Sequence, residues 1–285
     1  MRKNSREAVL AVALLACGAG GALAKTAGTD PFDFLLLDAN ARAVALGGAY
    51  TALADDSNAL LYNPAGLGLV RRYEATFMHN QYVDSVSQEY LSLALPQGFG
   101  LSFNYLDYGS LTRATISRKD GSLGSFSASD LAASLGYGIR LYRGLSLGLA
   151  AKYLRESIYR YEGHGAAFDV GAMYMLQEDP RISFGIAIQN MGTPVRFQGE
   201  REQLPLTLRA GAGLGFSLLG FENTLAAEMS KRRLEDPAIG VGMESVVAGM
   251  FPVRVGYTTR NDADIGLTGG VGWRYRDLSV DYAIA

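Results

Sequence analysis

Leu131-Ala132-Ala133-Ser134-Leu135-Gly136-Tyr137-Gly138-Ile139-Arg140-Leu141 sets mostly large apolar or aromatic side chains at odd positions against Ala, Ser, Gly, Gly and Arg at even ones. A period of two is that of a strand, whose successive side chains point to opposite faces. The pattern returns in Leu145, Leu147, Leu149, Ala151 and Tyr153 against Ser146, Gly148, Ala150 and Lys152. It returns again in Ile265, Leu267, Val271, Trp273 and Tyr275 against Gly266, Thr268, Gly270, Gly272 and Arg274. In a water-soluble sandwich the apolar face would be the core and the other face would carry long polar side chains. Here the second face is mostly glycine, which weakens a strand through backbone entropy, so the 35 glycines need a reason. Room for something held inside the sheet is one. The repetition predicts an all-β fold, a transmembrane antiparallel β-barrel; a glycine-rich soluble β-protein is the competing reading.

Composition alone conceals this. A hydrophobic content of 48%, a mean hydropathy of +0.07 and a net charge of -2 fit an ordinary soluble domain, because barrel strands hide their hydrophobicity by alternating it. After the N-terminus no stretch is long and apolar enough for a transmembrane helix. No basic cluster stands out beyond Lys231, Arg232 and Arg233, which read as a solvated loop tip, and this argues against a nucleic-acid partner. Arg2, Lys3 and Arg6, the apolar residues 8–16 and Ala22-Leu23-Ala24 read as a signal peptide over residues 1–24, with the mature chain starting at Lys25. Leu14-Leu15-Ala16-Cys17 also has the form of a lipoprotein box, so acylation of Cys17 is an alternative to simple cleavage. If Cys17 is removed, the mature chain holds no cysteine for disulfides or thiol catalysis. Either way the protein is exported, and a barrel then belongs in the bacterial outer membrane.

Residues 25–72 differ from the strands that follow. They carry Arg42-Ala43-Val44-Ala45-Leu46-Gly47-Gly48-Ala49-Tyr50 and Ala54-Asp55-Asp56-Ser57-Asn58-Ala59-Leu60-Leu61-Tyr62-Asn63-Pro64-Ala65-Gly66. Small residues suit tight packing. Asp55 or Asp56 is placed to cap a short helix at Ala59–Tyr62, and Pro64 pushes Asn63 out of helical geometry. Local chemistry leaves two readings open, a plug inside the barrel and a small soluble cap.

The run from Arg42 through Gly47, Gly48, Asp55 and Asp56 to Asn63-Pro64-Ala65-Gly66-Leu67 resembles the N-terminal signature of the PorV/PorQ outer-membrane proteins, relatives of the FadL fatty-acid transporters. Gln189-Asn190-Met191-Gly192-Thr193-Pro194, Leu204-Pro205-Leu206 and Leu278-Ser279-Val280-Asp281-Tyr282-Ala283 are similar to that family as well. The resemblance implies a barrel of fourteen strands whose N-terminal segment folds into the lumen as a hatch, with the Asn-Pro-Ala turn helping to seat it. On this basis residues 25–72 are expected to be the plug and residues 73–285 the barrel.

Strands are expected near 74–81, 89–96, 98–107, 130–141, 145–157, 166–176, 181–190, 205–216, 223–231, 238–247, 253–258, 265–275 and 278–285. That is thirteen of the fourteen expected, which predicts that a final strand follows Ala285 in the complete protein. Longer loops such as 108–129 and 191–204 alternate with tight turns, as in outer-membrane barrels. Leu147, Leu149, Ile186, Leu208, Val271 and Val280 are expected to face lipid. An arginine at Leu208, taken as near mid-membrane, should then cost about 2–4 kcal/mol, and a polar change at inward Thr207 much less.

Lumen-facing charges are expected at Arg140, Lys152, Asp169, Arg209, Glu244, Arg254, Arg274 and Asp281, with Asp130 and Glu156 on the same parity. The signs nearly balance, which fits a salt-bridge lattice that stiffens the barrel or a polar pathway that anchors the plug. Tyr105, Tyr153, Tyr174 and Tyr275 suit interfacial girdles. Catalysis is not expected. His79 lies in the first strand and His164 in an expected loop, and no serine stands in a nucleophile motif with either. Two isolated histidines make no metal site, and no cofactor is expected. Gly47-Gly48 lacks the Lys-Ser/Thr of a phosphate loop.

The expected function is non-enzymatic passage of hydrophobic small molecules in the FadL manner. The alternatives are a type IX secretion shuttle that binds the C-terminal domain of exported proteins, and a structural barrel without transport. The expected partners are outer-membrane lipid together with the small molecule or the exported domain. A conduit needs an apolar compartment running to the plug with displaceable residues beside it, whereas a shuttle needs an outward loop surface. Loop 108–129, with Leu111, Ile116, Leu123 and Phe126, suits either.

Overall fold

The structure is a computed structural model that describes residues 32–82, 85–113, 124–197, 200–233, 235–260 and 265–285. The expected signal peptide, Cys17, Ile116 and Leu123 lie outside these residues. Strands β1 (Glu74–Gln81), β2 (Ser87–Ala94), β3 (Phe99–Thr112), β4 (Ser125–Arg140), β5 (Leu145–Ile158), β6 (Tyr161–Glu178) and β7 (Arg181–Gly192) form the first part of the wall. A separate hairpin of β8 (Val195–Phe197) and β9 (Glu200–Glu202) follows. The wall resumes with β10 (Thr207–Leu218), β11 (Phe221–Arg232), β12 (Ala238–Val247), β13 (Phe251–Thr258), β14 (Leu267–Tyr275) and β15 (Leu278–Ile284). These make one 13-stranded antiparallel sheet in which β7 pairs with β10 and all other neighbours are consecutive. Among the described residues no ladder joins β15 back to β1, so the barrel is incompletely closed.

Parity decides which side chains meet lipid. Leu149, Ile186, Leu208, Val271 and Val280 are each 47–61% exposed on the outer face, and Leu147 accompanies them. Lys152, Asp169, Arg209, Glu244 and Arg254 on the opposite parity are buried. No helix among the described residues is long and apolar enough to cross a membrane. The outer surface is apolar strand by strand, which is the face a β-barrel turns to hydrocarbon.

Four expectations change. The loop expected over 108–129 shrinks, because β3 continues past a register shift at Asp107/Ser110 and Ser110-Leu111-Thr112 pairs with Ser125-Phe126-Ser127. Serine and threonine on both faces mask the apolar alternation there. His164 belongs to β6 rather than to a loop, and Lys231 and Arg232 close β11 rather than forming a loop tip. Leu208 is the second residue of β10 and pairs with Lys231, so it lies near the loop-side rim and not in mid-membrane.

The inward glycines hold the N-terminal segment against the wall. Gly138, Gly148 and Gly171 form one cross-strand row over β4, β5 and β6. A Cβ on Gly148 would fall on the backbone of Pro64 and Ala65, and one on Gly171 would fall on Asn63 Oδ1. Gly185 meets Thr51, Gly242 meets Leu46, and Gly240 and Gly256 meet Gly47 in the same way. Gly148→Ala should therefore destabilise the folded protein by about 1–3 kcal/mol in urea unfolding, as overpacking does. Gly269→Ala, whose Cβ would meet only a carbonyl oxygen 3.8 Å away, should stay within about 0.5 kcal/mol of the parent. Equal effects at the two sites would show that plug packing does not require glycine.

Candidate functional site

Two short helices and two 3₁₀ turns, the first at Asp33–Leu36, build the segment inside the wall. Helix α1 (Ala41–Ala45) is capped by Asn40, whose side chain accepts from the amides of Arg42 at 2.8 Å and Ala43 at 3.3 Å. Helix α2 (Ala59–Tyr62) follows Asn58, which makes no side-chain cap. Asp56 instead accepts from the Asn58 amide at 2.9 Å and from the Tyr50 hydroxyl at 2.6 Å, so it acts one step before the helix that the sequence expected it to cap. Burial pushes both the Asp56 carboxyl and the Tyr50 phenol up from their ordinary ranges. Asn63 turns extended and leads into the 3₁₀ turn Pro64–Leu69. Its Nδ2 donates to the carbonyls of Thr51 and Ala172, both at 3.1 Å, while its Oδ1 accepts from Ala65 N, also at 3.1 Å. One side chain thus joins two parts of the plug to β6.

Charged groups complete the attachment. Arg42 clamps Glu244 with Nε and Nη2, each bond 2.9 Å long. Glu244 also receives Arg254 Nε at 2.5 Å and Arg274 Nη2 at 3.3 Å, and Arg254 Nη1 reaches Asp281 at 2.5 Å. A second centre lies at Glu228, which accepts from the amides of Tyr50 at 3.0 Å and Thr51 at 2.8 Å and from Arg209 Nε at 2.6 Å. Arg209 in turn donates to the Gly48 carbonyl at 3.1 Å and lies over the Tyr62 ring. Lys152 pairs with Asp169 at 2.7 Å and with Asn190 at 2.8 Å. Arg140 lies at the turn-side end of β4, where it lines a cavity at the mouth. Glu228 was missed in the sequence although it shares inward parity with Ala226 and Ser230. Arg181, which pairs with plug residue Asp55 at 2.8 Å, and Arg260, which pairs with Asp38 at 3.2 Å, were missed as well.

On the loop side the interior changes character. Inward Leu106, Ala132, Leu154 and Ala167, with Val195 and Leu204 from the β7–β10 connection, form an apolar chamber. The chain fills it with its own Phe32 and Phe34, both 2% exposed, and Phe32 adopts a left-handed backbone with φ 60°. The chamber sits behind the longest strands, since β3 to β6 run 14 to 18 residues against 7 to 10 for β12 to β15. His79, bonded to Glu89 at 2.6 Å, and His164, bonded to Tyr153 at 2.9 Å, lie exposed on the wall rather than in this interior. Among the described residues no group of three or more His, Cys, Asp or Glu side chains could hold a metal ion.

A family model described as an uncharacterised protein family, UPF0164, matches residues 5–205. The chain belongs to UPF0164. No curated protein sequence matches it significantly. Three solved structures share the fold of this UPF0164 member at low sequence identity. The CymD monoaromatic hydrocarbon channel is 12% identical with a TM-score of 0.58, over 87% of this chain and 92% of that one. The Pseudomonas putida toluene transporter TodX is 12% identical with a TM-score of 0.54, over 84% and 90%. A Pseudomonas aeruginosa FadL homologue is 9% identical with a TM-score of 0.50, over 86% and 88%. The UPF0164 chain therefore shares the β-barrel fold of these three proteins.

Proposed function

We propose that this UPF0164 protein is a non-enzymatic channel of the bacterial outer membrane that admits small hydrophobic molecules from the loop side and passes them around a displaceable plug. The observation that carries this reading is the apolar chamber filled by Phe32 and Phe34. Around the rest of the plug the wall contributes mainly glycine, alanine and polar or charged inward residues, whereas here Leu106, Leu154, Val195 and Leu204 line a space of aromatic size. An apolar space of aromatic size is a binding site for an apolar ligand once its occupant leaves. The solved channels of the same fold handle monoaromatic hydrocarbons and toluene, which supports the same ligand class here. The motif from Arg42 to Leu67 supports a place near the PorV/PorQ group of these barrels. The chamber, closed by two rings of the plug segment itself, favours a conduit over a secretion shuttle.

The test is binding of N-phenylnaphthylamine to folded protein in detergent, with toluene as competitor. The rings of Phe32 and Phe34 compete with any ligand for the same volume, so apparent affinity falls by the fraction of molecules in which the space is free. Phe34→Ala should therefore bind the probe about tenfold more tightly than the parent, and toluene should displace it. Equal binding by both proteins, insensitive to toluene, would remove the chamber from the proposal.

A further inference from the structure

The turn-side mouth holds a cavity of about 390 Å³ beneath the plug, and its lining is strongly charged. Arg71, Arg72, Arg140 and Arg181 surround it against only two carboxylates, Asp55 and Glu74. Arg72 is engaged by Glu74 at 3.3 Å and by Asp277 at 2.9 Å. Arg181 uses Nη1 for Asp55 on the plug. Its Nε and Nη2 are enclosed and have no hydrogen-bond partner among the described residues. Those two nitrogens form the side-on edge of the guanidinium, the edge that receives two parallel oxygens of a carboxylate or phosphate. Leaving charged donors enclosed and unpartnered is costly, a cost that pairing the edge with an oxyanion in the cavity would relieve.

We infer that this mouth binds a compact oxyanion, a phosphate or carboxylate group, on the Nε–Nη2 edge of Arg181, with Arg71 and Arg140 supplying further positive charge. The edge is closed to water as Arg181 now stands, so capture requires the side chain to turn. Turning it loosens the bond to Asp55, one of the contacts between plug and wall. The anion thereby competes with the plug for one arginine. This site goes beyond the passage of hydrophobic molecules and holds whether or not they cross.

The experiment is calorimetric titration of inorganic phosphate into the folded protein in maltoside detergent, at ionic strength held constant with chloride. The expected result is saturable binding with a dissociation constant on the order of 1 mM. Arg181→Gln should weaken it at least tenfold, and Asp55→Asn, which removes the competing carboxylate, should tighten it severalfold. The second variant keeps its meaning if the first fails to fold. Repeating the titration in phosphatidylcholine vesicles with and without phosphatidylglycerol identifies the source. If phosphatidylglycerol blocks the added phosphate, the natural occupant is a lipid headgroup; if binding is unchanged, it is a free anion. Either pattern supports the site. Absence of saturable phosphate binding in detergent and in pure phosphatidylcholine, or binding left unchanged by both substitutions, overturns it.

Discussion

Glu244→Gln should destabilise the folded protein by about 3–5 kcal/mol in urea unfolding. The carboxylate is almost fully buried and is the common acceptor for three guanidinium groups, from Arg42 on the plug, Arg254 on β13 and Arg274 on β14. A neutral amide of the same shape leaves Arg254, which is completely buried, with Asp281 as its remaining ion-pair partner. Removing one member of a buried ionic cluster is expensive because it strands the charge that stays behind, not because the pair itself was strongly favourable. Arg274 is partly exposed and water screens it, so most of the loss falls on Arg254 and Arg42. Arg42→Met removes a charge from the crowded side and leaves Glu244 with two partners, so it should cost no more than about 1 kcal/mol. A Glu244→Gln protein within 1 kcal/mol of the parent would mean that the cluster is structurally incidental.

The same cluster couples the plug to the wall, which gives the effect a second readout. Helix α1 packs on β13, β14 and β15 and carries Arg42 among their charges. Loss of the Glu244 carboxylate should therefore release α1 before the strands unfold. Amide exchange over Ala41–Ala45 would rise while that of β4 to β7 stays protected, since local opening precedes global unfolding in weakly held segments.

Much of this arrangement was written in parity. Leu131 to Leu141 shows a strand because its two faces differ in chemistry, and the same alternation sorts Arg209 and Glu244 inward and Leu149 and Ile186 outward. The signal fades where both faces are polar, which is why Ser110–Thr112 and Ser125–Ser127 read as loop although they form a ladder. Glycines reveal only that something small is required. That Gly148 meets Pro64 and Gly242 meets Leu46 depends on how a distant segment folds back, which no local pattern encodes. Phe32-Asp33-Phe34-Leu35-Leu36-Leu37 is an apolar run without a period, so its burial in the chamber could not be assigned before the wall was built. Arg181 stands at the start of β7 with charge but no partner in sequence; its bond to Asp55 spans 126 positions.

Ile186→Arg should cost about 2–4 kcal/mol of folding free energy in vesicles, and Leu208→Arg only about 0–1. Both side chains point outward, so parity alone treats them as equal, and depth separates them. Ile186 lies midway along β7 and is flanked by Ala172 on β6 and Ala210 on β10, small neighbours that leave no polar group within the sheet for an arginine to use. The guanidinium there must either stay in hydrocarbon or thin the bilayer around it. Leu208 pairs with Lys231, whose ammonium already turns to the Glu235 carbonyl at the loop side. A second long cation at Leu208 can follow the same course and place its head group in the interface. Thr207, one residue away, faces inward and donates to the Pro205 carbonyl at 3.0 Å, so Thr207→Ser keeps that bond and should change stability by less than about 0.5 kcal/mol. Equal penalties at Ile186 and Leu208 would place both at the same depth, and the rim marked by Lys231 would then have to be moved.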